Sequence, residues 1–287
     1  MTDPTVAPEH DPTHWCPRCE RGVAASKCRP VELGDLSGAH VLLCATCGAV
    51  TRPVDVVERA DLTPLYVGAL TYPVRTGHLP AFLGLSSGVW FFSHVPLVGD
   101  LFAAAIAVTY LLSVVPHTAK GRDSLPEPTD FVHFTDYLWP ASRALVACLV
   151  GFAPLLAVLL YGGALPFALR AIFTALTGAV ALAWLPGAMA WASIAGRVAD
   201  AADPRPVLAI VTRAPRDYAL TVAAVWGLGV AHVILVTSAV GVARSLCFVP
   251  IVPSIGVWAA GIYMPMVMAR VVGLLLRARR VEIGVDV

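Results

Sequence analysis

Four cysteines carry the clearest chemistry in this chain. Cys16-Pro17-Arg18-Cys19 and Cys44-Ala45-Thr46-Cys47 form two CxxC pairs with 24 residues between them. A CxxC pair folds a tight knuckle that aims two thiolates at one centre, and two knuckles complete a tetrahedral zinc site made of four thiolates. Cys16, Cys19, Cys44 and Cys47 are therefore the candidate metal ligands, with Zn2+ as the cofactor. Four thiolates close the coordination shell, which makes the site structural and leaves no position open for catalysis. Redox or incidental cysteines are the competing reading. A cytoplasmic setting favours metal over disulfides. Cys28 reads as a buried or spare thiol. His10, His14 and His40 are further donors, but four cysteines already suffice. Cys148 and Cys247 fall in apolar stretches, where small-residue packing is the default.

The elements that must position these thiols are short. Glu20-Arg21-Gly22 and Gly48 follow the two pairs and suit turns that need a permissive backbone. Val31-Glu32-Leu33 and Val41-Leu42-Leu43 flank Gly34-Asp35-Leu36-Ser37-Gly38, a β-hairpin pattern. Residues 14–52 thus predict a β-rich zinc ribbon. With so little core, the metal must supply much of its folding energy. Residues 1–13, rich in proline and acidic groups, predict disorder. Residues 53–77 predict a connector, in which Val54–Arg59 suits a short strand or helix.

The rest of the chain has another character. Of 287 residues, 57% are hydrophobic and 14% charged, where a soluble domain carries about 25% charge. Residues 1–61 hold 6 basic and 9 acidic groups, and the remaining charges cluster between apolar runs. Three intervals carry one charge each: Asp100 between Arg75 and Lys120, Arg170 between Arg143 and Arg197, and Arg244 between Asp217 and Arg270. Each interval holds roughly two bilayer-spanning helices of ~20 residues and a turn. The expected spans are Leu79–Val95, Leu101–Val115, Ala144–Tyr161, Ala171–Ala192, Tyr218–Val240 and Ile251–Leu276. Pro96, Gly99 and Asp100 shorten the first pair, for which a re-entrant pair is the alternative. The expected fold is an all-α membrane helical bundle of about six transmembrane helices, over residues 78–280, with a small N-terminal zinc ribbon and a tail at 281–287.

From Arg52 onward, thirteen Lys and Arg residues outside the expected spans fall on the side of the termini and two, Arg170 and Arg244, on the other. Basic loops stay in the cytoplasm, which places both termini there. Met1-Thr2-Asp3-Pro4 opens no basic n-region, and no apolar run long enough for a signal peptide follows. Low lysine and abundant Ala, Val and Pro read as a bacterial coding bias, so the expected location is the bacterial inner membrane. A net charge of +1 and an acidic N-terminal segment argue against nucleic acid as a partner.

Inside the expected spans, His94 and His232 are the ionisable candidates for a relay, against a satisfied structural histidine. There is no His-Glu-x-x-His pattern. Ser86-Ser87-Gly88, Gly227-Leu228-Gly229 and Gly256 read as sites of close helix approach. Pro154, Pro186-Gly187 and Pro265 are candidate breaks for discontinuous helices. Two inner loops share an order: Gly-Arg, then Pro-x-Pro (126–128 and 204–206), then Asp136-Tyr137 or Asp217-Tyr218 at a helix start. Pro-x-Pro favours extended backbone. Shared interfacial composition explains the likeness, and a duplicated helix–loop–helix unit is the sharper alternative. The loop from Lys120 to Asp136 interleaves acids, His133 and aromatics, which suits a segment at headgroup level.

The run Thr118-Ala119-Lys120-Gly121-Arg122-Asp123-Ser124-Leu125-Pro126-Glu127-Pro128-Thr129-Asp130-Phe131, after a hydrophobic span, resembles bacterial membrane proteins of the Yip-like group. Some of these carry an N-terminal zinc ribbon. The resemblance implies a polytopic helical domain and no particular chemistry; the six expected spans depart from the usual five. The expected function is a non-enzymatic integral membrane protein, a scaffold or an interaction and lipid-binding protein. Its partners would be the bilayer and a protein docked on the ribbon. A transporter or channel, and an intramembrane enzyme acting on lipid or peptide, are the alternatives.

Overall fold

The computed structural model describes residues 14–16, 18–19, 21–23, 27–32, 40–53, 61–126, 134–245 and 251–283. The expectations for residues 1–13, the 34–38 turn, Val54–Arg59, His10, Glu127–His133 and Cys247 lie outside them. The chain divides into two compact units, Met1–Ala60 with Ala278–Asp286, and Asp61–Arg277.

Among its described residues, the first unit holds five short strands. β1 (His14–Cys16) pairs antiparallel with β2 (Arg21–Val23) and with β5 (Arg52–Pro53), in the order β2-β1-β5. β3 (Cys28–Glu32) and β4 (His40–Cys44) form the expected antiparallel pair, with Cys28 opposite Cys44 and Glu32 opposite His40. Thr51 donates both its backbone N–H (2.8 Å) and its hydroxyl (2.7 Å) to the carbonyl of Leu42, tying the chain after the second knuckle to β4.

The second unit is helical: α1 (Leu62–Ala69), α2 (Leu79–Ser93), α3 (Gly99–Ala119), α4 (Phe134–Tyr161), α5 (Phe167–Ile194), α6 (Val198–Ala201), α7 (Arg205–Arg213), α8 (Pro215–Ser245) and α9 (Ile251–Ile283), the last running across the division. Five of them, α3, α4, α5, α8 and α9, are long and apolar enough to cross a membrane, which supports a membrane protein. Six were expected. The first expected span stops at Ser93 because the chain turns through His94 to Val98, where Leu97 takes a left-handed φ of 70°. Fifteen residues of helix reach about 22 Å, short of a hydrocarbon core of about 30 Å. The other helices outrun their expected spans at both ends or at one, since polar terminal turns continue the same backbone hydrogen bonding.

Burial separates the spans into two kinds. In their most apolar stretches, 61% of α9 and 44% of α3 is buried, against 6–11% for α4, α5 and α8. So α9 and α3 form the protein-covered centre, and the other three present apolar side chains outward, as lipid-facing helices do.

Close helix contact occurs at glycines other than those expected. A Cβ on Gly88, Gly227 or Gly256 would meet nothing within 4 Å, and one on Gly229 only Met268 Cε at 3.9 Å. The tight seams lie elsewhere. On α9, a Cβ at Gly273 would lie 2.5 Å from Thr118 Cβ and 2.7 Å from the Val115 carbonyl oxygen of α3. On α4, a Cβ at Gly151 would overlap the Trp184 ring of α5, whose indole N–H donates to the Ala147 carbonyl at 3.1 Å. On α5, Gly187 makes room for Val207 of α7 and Tyr218 of α8, at 2.6 and 3.0 Å from its absent Cβ.

The prolines break nothing. Pro154, Pro186 and Pro265 lie inside continuous α4, α5 and α9. Nor is the second Pro-x-Pro extended. Pro204 has helical angles, and Arg205-Pro206 open α7, where a proline lacking an N–H costs no hydrogen bond. Val207 and Ile210 of α7 are buried while Arg205, Leu208 and Thr212 face outward, an amphipathic helix where a loop was expected.

Candidate functional site

The four expected ligands come together. The Sγ atoms of Cys16, Cys19, Cys44 and Cys47 all lie within 4.8 Å of one another, with Cys16 and Cys47 at 3.3 Å. A tetrahedral zinc site with ~2.3 Å bonds has sulfur–sulfur edges of about 3.8 Å, so the cluster fits a metal of this kind. The local sequence explains the geometry. Cys16 ends β1 and Cys44 ends β4, so each strand delivers one thiol and the turn after it delivers the next. After Cys44 the chain closes a turn in which Gly48 N–H donates to the Cys44 carbonyl at 2.8 Å, with Gly48 at φ 69°.

The thiols are unlike. Backbone N–H groups of Thr46 and Cys47 point at Cys44 Sγ and lower its pKa to about 6, while hydrogen bonding from Cys47, helped by burial and the other thiols, raises Cys19 to about 12. Without a metal, Cys44 is thus the proton-poor sulfur beside a Cys19 that keeps its proton, and a divalent metal would take that proton's place. Cys28 packs beside the cluster with Val23 and Ala49, and Thr51 Oγ1 lies 3.8 Å from its sulfur. It stands next to the four-thiol group without belonging to it.

The second polar centre was not foreseen. Arg270 of α9 falls inside the expected sixth span, yet it is 5% exposed. Its Nη1 donates to Thr118 Oγ1 at 3.1 Å and to the Arg122 carbonyl at 3.0 Å, and its Nη2 pairs with Asp123. The guanidinium also lies over the Tyr72 ring, 4.6 Å from the centroid. Tyr72 in turn donates its hydroxyl to the Ser124 carbonyl at 3.0 Å and accepts a bond at its own carbonyl from His78 Nδ1 at 2.5 Å. Tyr110 of α3 donates to the Pro126 carbonyl at 3.0 Å, and His117 Nε2 lies 3.0 Å from Ser124 Oγ. In residues 120–126, Leu125 and Pro126 are buried, while Lys120, Arg122, Asp123 and Ser124 are exposed. Burial acts to raise the Asp123 carboxyl, but the hydrogen bond and charge of Arg270, with Arg277 and Arg75 behind them, outweigh it and hold Asp123 below its ordinary value.

The two expected intramembrane histidines differ. His94 is exposed, with Nδ1 2.8 Å from the Trp90 carbonyl and its ring against the Trp90 indole. His232, midway along α8, has a buried Nδ1 with no partner among the described residues. His94 Nδ1 also lies 3.4 Å from Ser93 Oγ, a hydroxyl that donates to the Trp90 carbonyl at 2.7 Å. Asp136 and Asp217 do sit in the first turns of α4 and α8. Tyr218 goes inward, though: its hydroxyl donates to the Ala183 carbonyl at 2.6 Å and accepts the Gly187 N–H at 3.2 Å. Cys148 packs with Ala147 and Trp184 at the α4–α5 seam.

Arg270 was missed because it ends a charge-free interval, and a charge there reads as the end of a span. Its signal was its distance from the next basic group, Arg277, two helical turns further on. No family model, curated protein or solved structure matches the chain.

Proposed function

We propose that this chain is a non-enzymatic, multi-pass inner-membrane protein of the bacterial Yip-like type. Its zinc ribbon would be a cytoplasmic docking module and its helical domain an anchor or scaffold. The observation that carries this reading is the closed set of four thiols. Cys16, Cys19, Cys44 and Cys47 saturate a tetrahedral ion, so the metal stabilises a surface and leaves no site for substrate. The excess of Arg and Lys on the side of the termini supports a cytoplasmic ribbon. The apolar faces of α4, α5 and α8 support a bilayer around the helices.

The transporter alternative drew on discontinuous helices, and α4, α5 and α9 run unbroken through their prolines. The enzyme alternative drew on His94 or His232; the Nδ1 of His232 has no partner among the described residues, and the Ser93 hydroxyl beside His94 is held by the Trp90 carbonyl.

The test is a pull-down from membranes with the intact protein and with Cys16→Ser, alongside zinc analysis of both. The docking reading expects zinc and the associated proteins to be lost together. Unchanged partners on a zinc-free, unfolded ribbon would remove it.

A further inference from the structure

We propose that Arg75 and Arg277, held around the Arg270–Asp123 pair, form a binding site for a phosphate group such as an anionic phospholipid presents. Arg270 engages the Asp123 carboxylate directly, and the charges of Arg277 and Arg75 reach the same carboxylate from farther off. Arg270 is fully occupied, since its nitrogens also hold Thr118 and the Arg122 carbonyl.

The Nε of Arg277 is shut off from solvent and has no hydrogen-bond partner among the described residues. A guanidinium is always charged and seeks a planar pair of acceptors. The turn beside it is shaped to admit that group. Gly121 has φ 79°, and a Cβ there would lie 3.2 Å from Arg277 Nη2. Arg75 is exposed, with Nη2 reaching only the Gly68 carbonyl at 3.4 Å. Exposed Lys120 adds a fourth cation next to the turn.

The height is right for a headgroup. Arg270 follows Ile251 by 19 residues and Arg277 by 26, so they lie about 28 and 39 Å along α9 at 1.5 Å per residue. With a hydrocarbon core of about 30 Å, Arg270 marks its edge and Arg277 the phosphate level beyond. Phosphate oxygens take paired N–H donors from arginine, stronger than neutral hydrogen bonds. The inference rests on the membrane-embedded reading of α3 and α9; if that fails, the protein stays soluble without detergent, which is a separate observation from lipid choice.

The experiment uses the full chain in nanodiscs of phosphatidylcholine with a minor share of phosphatidylglycerol. Retained lipid is counted by native mass spectrometry after release into detergent. Wild type is expected to keep phosphatidylglycerol over phosphatidylcholine at least ~10-fold. Arg75→Gln with Arg277→Gln removes that preference, while Arg205→Gln on exposed α7 leaves it intact. Arg277→Lys keeps the charge without the fork and is expected to retain an intermediate preference, which covers the case where the double variant does not fold. Inorganic phosphate added in the millimolar range tests the source: displacement of the lipid by phosphate assigns the site to a free phosphate or soluble phosphate ester. No preference in wild type, or an equal loss with Arg205→Gln, overturns the proposal.

Discussion

Arg270 and Asp123 meet across 147 positions of sequence, a guanidinium 6% exposed against a carboxylate 66% exposed. The pair joins the centre of the helical unit to its surface. Removing the carboxylate leaves a buried cation whose remaining partners are a hydroxyl, a carbonyl and an aromatic face. Breaking a buried pair costs ~3–5 kcal/mol, but the open side of this one is screened by water, so about 1–2 kcal/mol is expected for Asp123→Asn. The check is thermal or denaturant unfolding in detergent.

The same pair has a pH signature. Asp123 titrates lower in the folded protein than in the unfolded chain, whose value is about 3.9. Its stabilisation is complete above that value and is lost as pH falls through the lower folded value. The gap between wild type and Asp123→Asn is therefore expected to stay constant from pH 7 to pH 5 and to close below about pH 4. A gap that grew on acidification would contradict the assignment.

Gly273 and Gly227 make a matched test of helix packing. Gly273→Ala drives a methyl into Thr118 and the Val115 carbonyl, an overpacking that costs ~1–3 kcal/mol. Gly227→Ala enters open space and is expected to be neutral or slightly stabilising. Melting temperatures of the two variants in one detergent decide it, and equal values would mean that the α3–α9 seam can part.

Metal content separates the fifth cysteine from the four. One zinc per chain is expected, measured by elemental analysis. Cys44→Ser is expected to lose it and to expose the ribbon to protease, because the metal carries much of the folding energy of so small a module. Cys28→Ser is expected to keep zinc, since Cys28 lies outside the thiol cluster. Loss of zinc from Cys28→Ser alone would reassign the ligand set.

His232 offers a test of the relay idea. Its buried Nδ1 has no partner among the described residues, which is destabilising, and an apolar residue of similar size avoids that loss. His232→Leu is expected to hold or raise the melting temperature. A clear fall would mean that the imidazole bonds to a group beyond the described residues.

The sequence carried a good deal of this structure and lost particular parts of it for physical reasons. The CxxC spacing found the four thiols because a knuckle is local: each pair is made by one strand end and the turn after it. Charge-poor stretches located the spans because removing charge is a requirement of every lipid-facing residue, whatever its neighbours. Gly151, Gly187 and Gly273 could not be told from Gly88 and Gly227, since what matters is the side chain on another helix. Arg270 was lost for the same reason, as its partners Asp123 and Tyr72 lie 147 and 198 positions away. The amphipathic α7 was hidden by Pro204 and Pro206, which read as extended until their place at a helix start is known.

The order in which the helices are made gives α9 a further consequence. It is the last described helix to leave the ribosome and the most enclosed of the spans. Tyr263 closes on the Leu70 carbonyl at 2.5 Å, Gly273 on α3, and Arg270 on the turn after α3. Helices α2 to α8 must therefore be inserted and wait with an open seam along α3. During that interval the Gly273 seam and the Arg270 partners on and after α3 lack the helix that covers them. Synthesis of α9 then closes that seam in a single late step.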